Sequence, residues 1–199
     1  SLLSHFRQMG VVYMTLCHNG DNDICDSARG HAEHGGLSAF GQEVVREMNA
    51  LGMMIDMSHA AESSFYDALA LSQAPIVCSH SSSRALCSHP RNLTDDQMKA
   101  LAAQGGVAQV TLYHGFLRHE GEATVLDALD HLHHMVQVMG PEHVGIGTDF
   151  DGDGGVRGLK DASELIGFTR QLLRRRYSES DLQGIWGGNF LRVMRQVQS

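Results

Sequence analysis

Apolar residues gather into five short runs along this chain, and each run is followed by a stretch with helical spacing. The runs are Val11–Leu16, Met53–Met57, Pro75–Cys78, Val107–Tyr113 and Val144–Thr148. Their length and nearly continuous apolar content predict strands buried on both faces. Leu37, Phe40, Val44, Val45, Met48 and Leu51 recur at helical spacing, and Gly52 ends that helix. A second helix is predicted over Glu62–Leu71. Thr94-Asp95-Asp96-Gln97 is a capping box that opens a third, ending near Gln104 before Gly105-Gly106. A further helix runs from about Thr124 to Met139, and another from Asp161 to about Arg176. A short one begins at Ser178, and the last follows Gly187-Gly188 to about Val197. Residues 1–9 read as the tail of a helix or a loop.

Strand followed by helix, repeated five times, builds a parallel sheet and an α/β fold. Two architectures remain open at this point: an open doubly wound sheet, or part of an eight-stranded α/β barrel. No G-x-G-x-x-G follows any strand, which disfavours a dinucleotide-binding fold.

The strand ends carry the candidate chemistry. The second run closes on Ser58-His59, the third on Ser79-His80 and the fifth on Asp149. Parallel strands deliver all three to one sheet edge, the edge at which α/β barrels keep their active sites. A lone histidine at a strand end is more often structural. Two in adjacent units, with a carboxylate at the same rim, point to a metal-dependent hydrolase. His18 closes the first strand in the same way. It reads either as a loop-bonded residue or as an electrophile for a substrate carbonyl. Arg91 lies in the loop after His80; it is a surface residue, or the clamp of a substrate carboxylate. The loop Gly20–Gly36 is long and polar, as functional or mobile loops are. Asp149-x-Asp151-x-Asp153-Gly154 opens like a calcium loop. Its twelfth position is Lys160, where that loop needs a bidentate glutamate, so calcium is disfavoured.

Composition narrows the partners. A net charge of −8 with no basic face argues against nucleic acid. Arg174-Arg175-Arg176 falls at a predicted helix C-terminus, where cations suit the macrodipole. Cys17, Cys25, Cys78 and Cys87 show no C-x-x-C spacing and read as reduced thiols. No run of about twenty apolar residues predicts a transmembrane segment. No signal peptide is visible, and the expected compartment is the cytoplasm. A homodimer is an admissible assembly.

Five stretches together resemble the membrane (renal) dipeptidase family of zinc dipeptidases. They are Thr15-Leu16-Cys17-His18-Asn19, Gly52 to His59, and Ser79-His80-Ser81-Ser82 with Arg91-Asn92. Gly145 to Gly152 and Gly188-Asn189-Phe190-Leu191-Arg192-Val193 complete the set. The order is the family's own, and Cys17 to Ala28 is most similar to bacterial members. The resemblance implies a (β/α)8 TIM barrel with two zinc ions bridged by a glutamate. It makes His59 and His80 ligands of one zinc, and Asp149 the aspartate beside the water between the metals. It makes His18 the contact to the substrate carbonyl, and Arg91 the holder of the dipeptide's terminal carboxylate. A tyrosine that assists this arginine in some members is Phe116 here. The family's His-x-Asp pair and bridging glutamate have no counterpart in Ser1–Gly10, which holds only His5. The expectation is therefore one domain over residues 1–199, equivalent to strands four to eight of the barrel. Such a chain would bind metal weakly and hydrolyse little by itself. Two alternatives stay open: a related hydrolase acting on a cyclic amide or ester, and a catalytically silent barrel remnant with a binding role.

Overall fold

The computed structural model describes residues 1–199. Five parallel strands form one sheet: β1 (Tyr13–Thr15), β2 (Met54–Asp56), β3 (Val77–Cys78), β4 (Val107–Thr111) and β5 (Val144–Gly147). Their spatial order is their order in sequence. Tyr13 stands opposite Met54, Asp56 opposite Val77, Cys78 opposite Ala108, and Ala108 opposite Val144. A doubly wound sheet reverses its strand order at a switch point. Here every crossover adds a strand to the same edge. Right-handed crossovers in one direction put the crossover helices on one face, which is the barrel arrangement.

The helices are α1 (Leu2–Gln8), α2 (Ala39–Ala50), α3 (Glu62–Leu71), α4 (Asp95–Ala103), α5 (His114–Leu117), α6 (Val125–Met139), α7 (Leu165–Arg174), α8 (Glu179–Gln183) and α9 (Asn189–Gln198). The capping box at Thr94 is formed, and Thr124 with Asp127 makes a second at the start of α6. Two features depart from the periodicity. The four-residue α5 sits in what reads as loop after β4. The helix expected from Asp161 begins as a 3-10 turn, Ala162–Glu164, before α7 starts.

Strand residues alternate between two faces. Met53, Ile55, Met57, Cys78, Ala108 and Val110 point at the helices. They join Val45 and Met48 of α2, Phe65 of α3, Leu101 of α4, Leu129 of α6 and Phe168 of α7 in one buried core. Burying a side chain of this size contributes roughly 1.5–3 kcal/mol. Met54, Val77 and Val107 point the other way, and Val193 and Val197 of α9 cover them. The α9 helix is tied to the strand starts by polar bonds. Asn189 Nδ2 donates to the carbonyls of Pro141 (2.7 Å) and Val144 (2.8 Å). Arg192 donates to the carbonyls of Gly105 (2.9 Å) and Glu142 (3.0 Å). The Asn-Phe-Leu-Arg-Val segment thus closes the end of the sheet opposite the strand tips. Within residues 1–199, β1 pairs only with β2. No helix is long and apolar enough to cross a membrane.

Candidate active site at the strand tips

His18, His59, His80, Arg91 and Asp149 all line one cavity of about 1050 Å³ at the C-terminal edge of the sheet. His59 reaches it because the chain after β2 turns sharply, with φ of 73° at His59 itself. A non-glycine residue in that region costs on the order of 1–3 kcal/mol, which the surroundings must offset. The long loop does so. Ala28 N–H donates to the His59 carbonyl at 2.7 Å, and the Ser27 hydroxyl bonds the carbonyls of His18 (2.6 Å) and His59 (3.3 Å). One loop segment therefore fixes two of the strand-end histidines.

The Nε2 atoms of His59 and His80 lie 2.8 Å apart. The His18 ring packs on the other side of His59, with centroids 4.4 Å apart. Burial, then the charge on Arg91, lowers His59 to about 3. Burial also lowers His80, against the opposing pull of Asp56. Both imidazoles are accordingly neutral near pH 7, the form that can give a lone pair to a metal. Two convergent nitrogens fit two positions of a metal's coordination shell. No group of three or more His, Cys, Asp or Glu that could hold an ion is present.

Arg91 is only 3% exposed, and none of its three guanidinium nitrogens has a hydrogen-bond partner in the protein. Burial lowers it to about 10, with Asp56 and Asp149 pulling the other way. Its Cζ lies 5.1 Å from the centre of the Phe116 ring. Phe116 thus supports the guanidinium through its π-face and offers it no hydroxyl. Tyr113 packs against Phe116 with centroids 4.6 Å apart and also lines the cavity.

Asp149 has φ of 58°, and burial pushes its carboxyl above the usual range. Its carbonyl accepts from Gly152 N–H (2.9 Å) and Gly154 N–H (2.7 Å). A Cβ on Gly154 would lie 2.2 Å from the Thr148 carbonyl oxygen, so only glycine permits this turn. The aspartate-rich loop is therefore wrapped around its own backbone. Asp151 and Asp153 line the cavity as well.

Asp56 is the group that sequence reasoning passed over. It is fully buried and accepts four hydrogen bonds, from Thr15, Ser58 and twice from Ser79. A lone carboxylate within an apolar strand was the available signal. All four cysteines are free thiols, and Cys17 reaches the cavity wall.

The fold and rim define a TIM-barrel-like metal-hydrolase fold. The model of the membrane dipeptidase family, peptidase family M19, matches residues 1–199, and the chain belongs to that family. An uncharacterized dipeptidase of Schizosaccharomyces pombe is 40% identical over 205 residues, covering 100% of this chain and 49% of the relative. The crystal structure of the probable dipeptidase PvdM from Pseudomonas aeruginosa superposes with a TM-score of 0.96 at 31% identity. That match covers 100% of this chain and 65% of the other. A metallo peptidase from Rhodobacter sphaeroides, liganded with a phosphinate mimic of the dipeptide L-Ala-D-Ala, gives a TM-score of 0.92 at 26% identity. It covers 99% of this chain and 59% of that one. The chain spans about half the length of the curated relative, and under two thirds of either solved structure.

Proposed function

We propose that the protein is a metal-dependent dipeptidase. The observation that carries this reading is a juxtaposition. A buried arginine with unmet donors faces the same cavity as two imidazole nitrogens 2.8 Å apart. The first demands an anion, and a substrate's free carboxylate supplies one bidentately. The second fits two ligand positions for a metal.

His59 and His80 would hold zinc. Bound there, the ion supplies a water activated for attack at neutral pH. Arg91 fixes the substrate's terminal carboxylate and so sets how far the scissile carbonyl lies from the strand tips. His18, stacked on His59, offers an imidazole nitrogen to the carbonyl oxygen. Asp149, with its raised carboxyl pKa, accepts a proton and returns it to the leaving amine. That clamp selects dipeptide-like molecules with a free C-terminus. The silent-domain alternative draws on the same count of donors: two histidines make weak zinc binding and negligible hydrolysis by residues 1–199 alone the expected behaviour.

The test pairs dipeptides with their C-terminal amides. Arg91→Ala should sharply weaken binding of the free acids and leave that of the amides little changed. Equal losses for both would point instead to a hydrolase of cyclic amides or esters.

A further inference from the structure

We propose that Asp56 and Ser79 are positioning residues that set the tautomer of His80. They form a hydrogen-bond chain that leaves Nε2 of His80 as a bare lone pair. The inference rests on the reading of His80 as a metal ligand, but the tautomer itself is independent of any metal.

Asp56 Oδ1 accepts from the backbone N–H of Ser58 (3.0 Å) and of Ser79 (2.9 Å). Asp56 Oδ2 receives the Thr15 hydroxyl and the Ser79 hydroxyl, each at 2.6 Å. A carboxylate only accepts, so Ser79 must give it its single proton. The Ser79 oxygen also lies 2.7 Å from Nδ1 of His80. With its proton committed, it can only accept there. Nδ1 of His80 therefore carries the ring proton, and Nε2 carries none. That bare Nε2 is the atom aimed at His59. The lengths are those of charge-assisted bonds, as expected when one ionised group anchors the chain.

Ser58 does a second job for the same residue. Its hydroxyl accepts the backbone N–H of His80 at 2.9 Å and meets the Ser81 hydroxyl at 3.1 Å. The serines before both histidines thus serve His80, one holding its backbone and one its ring. His59 is treated differently, since its Nδ1 is buried without a protein partner. With the bare Nε2 of His80 only 2.8 Å away, His59 carries its proton on Nε2 in the metal-free chain.

The experiment uses the chain labelled with ¹⁵N-histidine. Long-range ¹H–¹⁵N spectra of the metal-free protein near pH 7 should show His80 protonated at Nδ1. Ser79→Ala should move His80 towards the Nε2–H tautomer. It should also weaken zinc binding roughly 10–100-fold in competition with a chelating dye. Ser79→Thr, which keeps the hydroxyl, should restore both. Asp56→Asn reverses the chain: its amide can donate to Ser79, whose proton then turns to Nδ1 and drives His80 to Nε2–H. Thermal melts of each variant establish that the fold is retained. Wild-type His80 protonated at Nε2, or a Ser79→Ala protein with unchanged tautomer and zinc affinity, would overturn the proposal. A wild-type chain with the expected tautomer whose His59 and His80 signals stay unmoved by excess zinc would overturn the ligand role, and with it the metal reading. The hydrogen-bond chain would then stand on the tautomer alone.

Discussion

Replacing Arg91 with methionine should stabilise the protein and destroy its grip on a carboxylate. Arg91 is held well below its ordinary value, at about 10, chiefly by burial. At 1.36 kcal/mol per pKa unit, keeping it charged in the fold costs about 3 kcal/mol. The sign follows from the direction. A base with a depressed folded pKa lowers stability at all pH values below about 10, and the penalty fades as pH rises through that value. The attraction of Asp56 and Asp149 already offsets part of the burial, and methionine forfeits that attraction. Methionine fills a similar volume beside Phe116 with nothing to desolvate, so a net gain of about 1–3 kcal/mol is expected. For a chain of this size that raises Tm by about 2–10 °C. Truncating a buried charge–charge contact costs about 2–5 kcal/mol of binding, a loss in Kd from about 30-fold to a few thousand-fold. Calorimetric melting of both proteins without ligand gives the first quantity. Titration with a dipeptide and its amide gives the second. If Arg91→Met melts lower than wild type, or weakens acid and amide equally, then the guanidinium is a structural tie and the clamp reasoning is wrong.

Three shorter predictions rest on the same geometry. His59→Ala and His80→Ala should each weaken zinc binding, measured by titration with the ion, by tenfold or more, whereas His133→Ala, remote on α6, should leave it unchanged. In the complete enzyme, Asp149→Asn should remove dipeptide hydrolysis while Asp151→Asn leaves most of it; the reverse ranking would mean the wrong aspartate has been assigned the proton. Arg192→Ala abandons two carbonyls at the starts of β4 and β5 and should cost about 1–3 kcal/mol in urea unfolding, with the dipeptide Kd unaffected.

Much of this fold is legible in the sequence because its rule is simple. A strand buried on both faces must be apolar at nearly every position, and a helix packed on it must be apolar at every third or fourth. Met53–Met57 and the face of Val44, Val45 and Met48 obey those rules without help from the rest of the chain. The four-residue α5 is too short to show a period. The turn at Ala162–Glu164 is set by the Asp161 side chain bonding Ser163 N–H, a local competition that helical spacing does not register. Strand order is a different matter: no pattern within one strand states which neighbour it takes. Only the registers Tyr13 to Met54 and onward to Val144 separate the barrel arc from a doubly wound sheet.

The site divides along the same line. That His59, His80 and Asp149 share a rim follows from parallel strands, since each ends an apolar run. What holds them does not follow, because the supports come from elsewhere in the chain. Asp56 draws on Thr15 of β1 and on Ser79 just beyond β3, residues 41 and 23 positions away. Ser27 reaches His59 from a loop 32 positions distant. Two Ser-His pairs look like a repeated motif with repeated roles. In space the first serine turns to the second histidine, so the repetition in sequence hides a division of labour. Burial of Asp56 is costly unless all its acceptor positions are used, and four donors use them, one from its own strand end and three from the two neighbouring strands. The carboxylate that violates the apolar pattern of β2 is therefore the one that fixes the geometry of the rim. Such a violation is where sequence reading should look first for the second layer of a site.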